Sequence, residues 1–225
     1  MSKGIFITGT GTDIGKTYVT ALIVKKLRES GISAGYYKAA LSGADSVSQS
    51  DAGYVNSFAR LEESEDMLVS YLYKHAYSPH LAARIEGNPV EMDVVKAGFS
   101  RAAAAFDFLT VEGSGGIVCP IRWDENTVIL LEDIIRELGL ASLIVADAGL
   151  GTINAVVTTY EYMRSRGLSV KGVILNRWNG DIMQQDNRRM IEELTNTRVL
   201  AVVREGDSEL QLPADELVSL YEEII

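Results

Sequence analysis

Cysteine occurs once in these 225 residues, at Cys119, so no internal disulfide can form. Histidine is nearly as scarce: His75 and His80 are the two present, and no Cys/His spacing typical of a zinc site accompanies them. Long apolar runs are missing too. Stretches such as Leu143 to Ala146 have the length of a strand and fall far short of a bilayer. Basic residues are in deficit, 21 Lys and Arg against 31 Asp and Glu, giving a net charge of −10. An acidic surface excludes nonspecific attraction to nucleic-acid phosphates and leaves small molecules and other protein chains as partners. No repeat, linker or low-complexity segment stands out, and the N-terminus enters a strand without a charged-then-apolar leader. These absences predict a soluble, cytoplasmic protein with no membrane partner, folded as one domain over residues 1–225.

What is present is concentrated near the start. Gly9-Thr10-Gly11-Thr12-Asp13-Ile14-Gly15-Lys16-Thr17 follows the apolar Ile5-Phe6-Ile7 and precedes Thr20, Ala21, Val24 and Leu27 at helical spacing. A glycine-rich loop between a buried strand and a helix N-terminus gathers unpaired N–H groups and the positive end of the helix dipole on an anion. Lys16 then reaches the β- and γ-phosphates of a nucleotide, and the Thr17 hydroxyl suits Mg²⁺. Gly9 and Gly15 enclose five residues where the common phosphate-loop pattern has four. A turn that merely caps a helix does not account for Gly-Lys-Thr placed after such a strand.

Further along, Ile32 to Tyr37 reads as a strand whose carboxyl end delivers Lys38, on the same side as the loop in a parallel sheet. A solvated strand-end lysine is the plainer alternative. Gly43 to Ser50 reads as a loop, and Asp51 opens a helix to Arg60 as an N-cap, a ligand, or both. Glu62 to Asp66 is a solvated acidic run, and Pro79 fixes the entry to a short helix. A helix over Asp93 to Phe106 leads to a strand, Phe108 to Val111, that ends in Glu112-Gly113-Ser114-Gly115-Gly116. An acid there is the pattern of a Mg²⁺-associated carboxylate, but Asp147 follows Leu143 to Ala146 in the same way, and patterning does not choose between them. Gly149-Leu150-Gly151-Thr152 starts the helix Ile153 to Arg166, either as a second anion-receiving N-terminus or as an ordinary connection. Asn176 closes the strand Val170 to Leu175, where its amide suits a nucleobase edge. A helix from Asp181 to Asn196, a strand from Val199 to Val203 and a helix from Ala214 to Ile225 complete the pattern. The alternation predicts an α/β, P-loop NTPase-like, three-layer fold: a mostly parallel central sheet with helices on both faces.

Taken together these residues resemble the dethiobiotin synthetase family over essentially the whole chain. The resemblance rests on the loop Gly9 to Thr17 with its five-residue gap, Lys38 followed by Ser42-Gly43, and Ser50-Asp51-Ala52. It rests equally on Ser78-Pro79-His80, Val111 to Gly116, and Gly149 to Asn154, in that order. It implies an ATP-dependent cyclo-ligase of biotin biosynthesis. Such an enzyme converts 7,8-diaminopelargonate, CO₂ and MgATP to dethiobiotin, ADP and phosphate through a carbamate and a carbamic-phosphoric anhydride. It further implies catalytic Lys16 and Lys38, and Mg²⁺ among Thr17, Asp51 and Glu112 rather than Asp147. Nucleotide contacts follow at Asp13, Ile14, Gly15, Lys16, Thr17, Tyr18, Asp51, Glu112, Gly113, Ser114, Gly115, Asn176 and Arg177. Substrate contacts follow at Thr12, Lys38 and Ser42, and at Leu150, Gly151, Thr152 and Asn154 across a homodimer interface.

The chain departs from the family pattern at Lys38-Ala39-Ala40, where Lys-Pro is common, at Val203-Arg204-Glu205-Gly206, where a proline-centred turn is common, and at Arg177. The last two departures bear on selection of the base, not on phosphate binding. Two other classes share the strand–loop–helix core. Chromosome-partitioning ATPases place an extra lysine early in the loop, absent here between Gly9 and Gly15, and cobyrinate-type synthetases continue into a glutaminase domain.

Overall fold

A computed structural model describes residues 2–224. From the N-terminus, β1 (Lys3–Gly9) passes through the glycine loop into α1 (Lys16–Glu29), and β2 (Ala34–Ser42) follows. Next come a short 3₁₀ turn at Val47–Gln49, α2 (Asp51–Phe58), α3 (Glu65–Leu68), β3 (Val69–Tyr73), α4 (Pro79–Glu86) and α5 (Met92–Ala105). The chain returns through β4 (Phe108–Glu112), the hairpin β5 (Pro120–Trp123) and β6 (Val128–Leu130), α6 (Leu131–Glu137) and β7 (Ser142–Asp147). It finishes with α7 (Thr152–Ser165), β8 (Val170–Asn176), α8 (Ile182–Thr195), β9 (Val199–Val202), α9 (Ala214–Ser219) and β10 (Glu222–Glu223).

The main sheet runs β3-β2-β4-β1-β7-β8-β9, with every adjacent pair parallel. Its central strands are buried on both faces, and successive side chains feed opposite cores. Phe6 packs on one side with Leu109, Val111, Ile144 and Val173, against Phe99, Ile134, Met163 and Ile191 from α5, α6, α7 and α8. Ile5 and Ile7 pack on the other with Leu143, Val145 and Ile174, against Val19, Leu22 and Leu27 of α1 and Leu217 of α9. This is the predicted three-layer arrangement. The carboxyl ends of β1, β2 and β4 lie side by side, and the site grows from them.

Three features differ from the sequence-based expectation. Lys38 lies inside β2 rather than at its end: the strand continues to Ser42 because β3, which periodicity had not revealed, pairs with its second half from Lys38 onward. The last helix stops at Ser219 instead of running on. Tyr221 turns inward, its hydroxyl 2.7 Å from that of Thr110, and Glu222–Glu223 pair antiparallel with Lys3–Gly4 of β1. Burial of a tyrosine and the capture of strand hydrogen bonds outweigh helix propagation there; Ile225 lies outside the described residues. Sequence patterning does not signal the hairpin β5–β6 or α6 either. No helix among the described residues is long and apolar enough to cross a membrane.

Candidate functional site

The phosphate-type loop is shaped by two glycines. Gly15 adopts φ +85°, and a Cβ there would lie 2.1 Å from Asn176 Nδ2. A Cβ on Gly9 would meet Ile14 Cδ1 and Lys16 Cδ at 2.9 Å. The loop therefore folds tightly over the start of α1, and Asp13 tolerates φ +58° within it. Lys16 begins the helix and is 8% exposed; its ammonium bends back to donate to the Gly11 carbonyl at 2.9 Å. Burial lowers its pKa below the ordinary lysine value; the neighbouring charge of Lys38 adds to that, against the pull of Glu112.

Beside it β2 and β4 bring an ion cluster together. Lys38 and Glu112 are register partners on adjacent strands. Lys38 Nζ donates to Glu112 Oε1 at 2.9 Å and to Asp51 Oδ2 at 2.6 Å. Thr17 Oγ1 donates to the same Glu112 oxygen at 2.9 Å, and the Tyr36 hydroxyl reaches Oε2 at 3.2 Å. Lys38 and Glu112 are 3% and 1% exposed. Burial alone would depress the pKa of Lys38; Glu112 and Asp51 overcome it and raise it. Asp51 shows the mirror image, burial opposing and Lys38 prevailing, so its carboxyl lies below the usual value. Asp51 is not the cap of α2. That place belongs to Ser50, whose hydroxyl accepts the Gly53 N–H, and Asp51, one residue on, keeps its carboxylate for Lys38.

Both lysines line one cleft of about 1140 Å³. Of the residues singled out by sequence, Thr12, Asp13, Gly15, Lys16, Thr17, Tyr18, Lys38, Ser42, Asp51, Glu112, Ser114, Gly115 and Arg177 line it. Ser42 Oγ donates to the Tyr77 carbonyl at 2.6 Å, and Ser114 Oγ to that of Ala40 at 2.5 Å.

Others lie elsewhere. Ile14 packs into the core on the α1 side, and Gly113 lies against Phe6 and Leu131. Asn176 is 5% exposed and donates its amide to the Ile14 carbonyl at 2.9 Å, so in this conformation its donor supports the loop from below instead of facing a base. Leu150, Gly151, Thr152 and Asn154 form the start of α7, outside the cleft. Leu150 is 91% exposed there, while the Thr152 hydroxyl is buried without a partner.

Sequence patterning does not mark Tyr36, which holds Glu112 from beneath the cleft, or Cys119, which lines it, as part of the site. Tyr36 precedes Lys38 by two along β2, so strand alternation puts both on one face; that spacing was the available signal. Cys119 lies beside the loop, 6% exposed, its thiol pushed by burial up to about 11.

The donor chemistry around Lys38 suits a hard cation. Thr17, Asp51 and Glu112 offer a hydroxyl and two carboxylates, the partial oxygen set with which proteins hold Mg²⁺ when nucleotide phosphates supply the rest. Among the described residues no group of three or more His, Cys, Asp or Glu could hold a metal unaided.

Comparison with known proteins accords with this geometry. A family model described as an AAA domain matches residues 3–208. A protein of Brachyspira hyodysenteriae named ATP-dependent dethiobiotin synthetase BioD is 55% identical over 223 residues, covering 99% of this chain and all of the relative. A protein of the same name from Clostridium botulinum (strain 657 / Type Ba4) is 46% identical over 229 residues, covering both chains completely. Among solved structures, the MinC:MinD cell division complex of Aquifex aeolicus aligns with TM-score 0.58 at 15% identity, over 97% of this chain and 94% of that one. A ParA family ATPase of Chlorobium tepidum TLS aligns with TM-score 0.55 at 16% identity, over 92% and 84%. At such identities the structural likeness carries the fold alone, whereas the full-length relatives carry more: the chain belongs to the ATP-dependent dethiobiotin synthetase family.

Proposed function

We propose that the protein is an ATP-dependent cyclo-ligase that closes 7,8-diaminopelargonate with CO₂ into dethiobiotin, releasing ADP and phosphate, in biotin biosynthesis. The observation that carries this reading is the single cleft shared by Lys16, Lys38, Thr17, Asp51 and Glu112. One amine of the substrate adds to CO₂ and loses a proton to give a carbamate. A carbamate oxygen attacks the γ-phosphorus, ADP departs, and the second amine displaces phosphate from the mixed anhydride to close a cyclic urea.

Negative charge gathers at each step, so positioning and electrostatic stabilisation are what the protein contributes. Lys16 and the loop N–H groups from Asp13 to Tyr18 hold the phosphates. Lys38 neutralises the carbamate and the transferring phosphoryl group, with Thr12 and Ser42 beside the diamine. Thr17, Asp51 and Glu112 hold Mg²⁺, which when bound screens the phosphate charge. Ser114 and Gly115 border the phosphate and substrate region with Gly113 behind them, and the Asn176–Arg177 corner at the end of β8 stands on the base side, where Asn176 has its amide oxygen to offer while its Nδ2 holds the Ile14 carbonyl. The exposed start of α7, Leu150 to Asn154, receives the substrate's distant carboxylate from the neighbouring subunit of a homodimer. Backbone N–H groups would serve there, since the Thr152 hydroxyl is buried. A single domain over residues 1–225 working in the cytoplasm completes the proposal.

The test is direct. Purified protein given the diamine, bicarbonate and MgATP should release ADP and form the cyclic urea by mass spectrometry. Folded protein that produces neither overturns the reading. A monomer in sedimentation that retains full activity would remove the shared site but leave the chemistry.

A further inference from the structure

Three loops meet at the edge of the cleft, and one arginine touches two of them. Arg177 follows Asn176 at the end of β8, with φ +56°. From this junction two side chains reach successive carbonyls of the phosphate loop: Asn176 Nδ2 to Ile14 at 2.9 Å, and Arg177 Nη2 to Asp13 at 2.5 Å. The other amino nitrogen of Arg177 donates to Asp147 Oδ2 at 2.7 Å, and Asp147 Oδ1 accepts the Gly149 N–H at 2.7 Å. The carbonyls of Ala148 and Gly149 are held in turn by Asn187 Nδ2 of α8, at 3.1 and 3.2 Å. A continuous chain of hydrogen bonds thus runs from the phosphate loop through Arg177 and Asp147 to the turn that begins α7.

We propose that Arg177 and Asp147 form a positioning pair: anchored by Asp147, Arg177 holds the phosphate loop in its anion-receiving shape and ties that shape to the turn 148–152. Asp13 sits in the left-handed region, a conformation that a non-glycine residue keeps only when its surroundings fix it, and the guanidinium on its carbonyl does so. Asp147, an equal rival to Glu112 by sequence pattern, thereby acquires a role distinct from metal binding. Its two oxygens face an arginine and a backbone amide. The pair is half exposed, with side-chain exposures of 54% and 37%, so it contributes little to global stability. Its loss should therefore surface in ligand binding and not in melting temperature. Only the nucleotide part of the proposed function is assumed, and every readout below works without turnover. Failure of ring closure and failure of the pair are therefore separable.

The experiment compares Arg177→Ala, Asp147→Ala and the double variant with the unaltered protein. Affinity for MgADP is measured by calorimetry, and backbone hydrogen exchange over residues 148–152 is followed with and without MgADP. Each single variant should weaken MgADP about tenfold, the scale of one charge-assisted contact, and the double variant should be no worse than either single. In the unaltered protein MgADP should slow exchange at 148–152, and both single variants should abolish that response while melting within about 2 °C of it. Three results would overturn the pair. The first is an Asp147→Ala protein that binds normally while Arg177→Ala is weakened, which leaves Arg177 as a direct ligand contact. The second is additive losses in the double variant. The third is exchange at 148–152 indifferent to MgADP in the unaltered protein.

Discussion

Two lysines share one cleft, yet the regions around them are built on opposite electrostatic terms. Lys38 is held between Asp51 and Glu112 at 2.6 and 2.9 Å, and its proton is retained above the ordinary lysine range. Lys16 has only a carbonyl as its hydrogen-bond partner, and burial moves its proton the other way. At the β2–β4 end of the cleft the lysine is thus compensated before any ligand arrives, while the phosphate-loop end carries buried positive charge that an anion would satisfy. A loop that stores unmet charge is a binding element. A cluster whose ammonium is already paired is poised machinery: for Asp51 and Glu112 to take a cation and Lys38 to act on a group brought to it, Lys38 must give up these partners.

The contrast can be broken at its strongest point. Lys38→Ala should lower kcat by about three orders of magnitude while MgADP affinity stays within a few-fold, whereas Lys16→Ala should abolish measurable MgADP binding. Glu112 keeps Thr17 and Tyr36 as donors in the first variant, which limits the structural damage. Equal losses of affinity and rate in Lys38→Ala would erase the distinction.

Backbone and support come next in size. Gly15→Ala places a Cβ 2.1 Å from the Asn176 amide at φ +85°, and should destabilise the fold by about 2 kcal/mol or more in denaturant titration. Asn176→Ala removes the hydrogen bond under Ile14 alone and should cost about 1 kcal/mol.

Titration sharpens the comparison more gently. Because Lys16 is displaced downward and an incoming phosphate favours its ammonium, MgADP binding should draw in protons as the pH rises toward ~10, near the reference lysine pKa of ~10.4. Calorimetry in buffers of different ionisation enthalpy reads this directly; zero uptake throughout would contradict the assignment. For stability the signs are opposite. The raised pKa of Lys38 contributes stability that is full below the unfolded lysine value and is lost only above the folded one. The lowered pKa of Asp51 contributes stability present above its unfolded value and lost as pH falls through the folded one. The cluster should therefore hold its charge from about pH 5 to pH 10, and thermal melts across that window should show no step from these two groups. The smallest effect belongs to Cys119. With its thiol pushed up to about 11 and its side chain buried, iodoacetamide at pH 7 should modify it far more slowly than a free thiol.

Legibility in the sequence followed the range of the interactions. The strand–loop–helix around Lys16 was readable because its signals are contiguous: an apolar triplet, glycines where the backbone must turn, then helical spacing. Lys38 was read as a strand-end residue because β3, short and alternately buried, gave no sign that β2 would be extended by a neighbour. Asp51 was weighed as a cap although Ser50, one residue earlier, takes that place. The position of Asn176 at the end of β8 is visible in the sequence, while the direction of its amide donor, toward the Ile14 carbonyl, is not.

The residues alone determined the alternation of strands and helices, the glycine loop with its lysine, and the family to which the chain belongs. All of these are encoded in local periodicity and in motifs whose members lie within a few residues of one another. Only the tertiary structure decided which charges meet. Lys38 and Glu112 are 74 positions apart, and they become neighbours because β4 inserts between β1 and β2 in a register that sets one opposite the other. Arg177 and Asp147, 30 positions apart, meet for the same reason, at the paired carboxyl ends of β7 and β8. Strand order and register are collective outcomes of burying two apolar faces at once, and no single segment of the chain carries them.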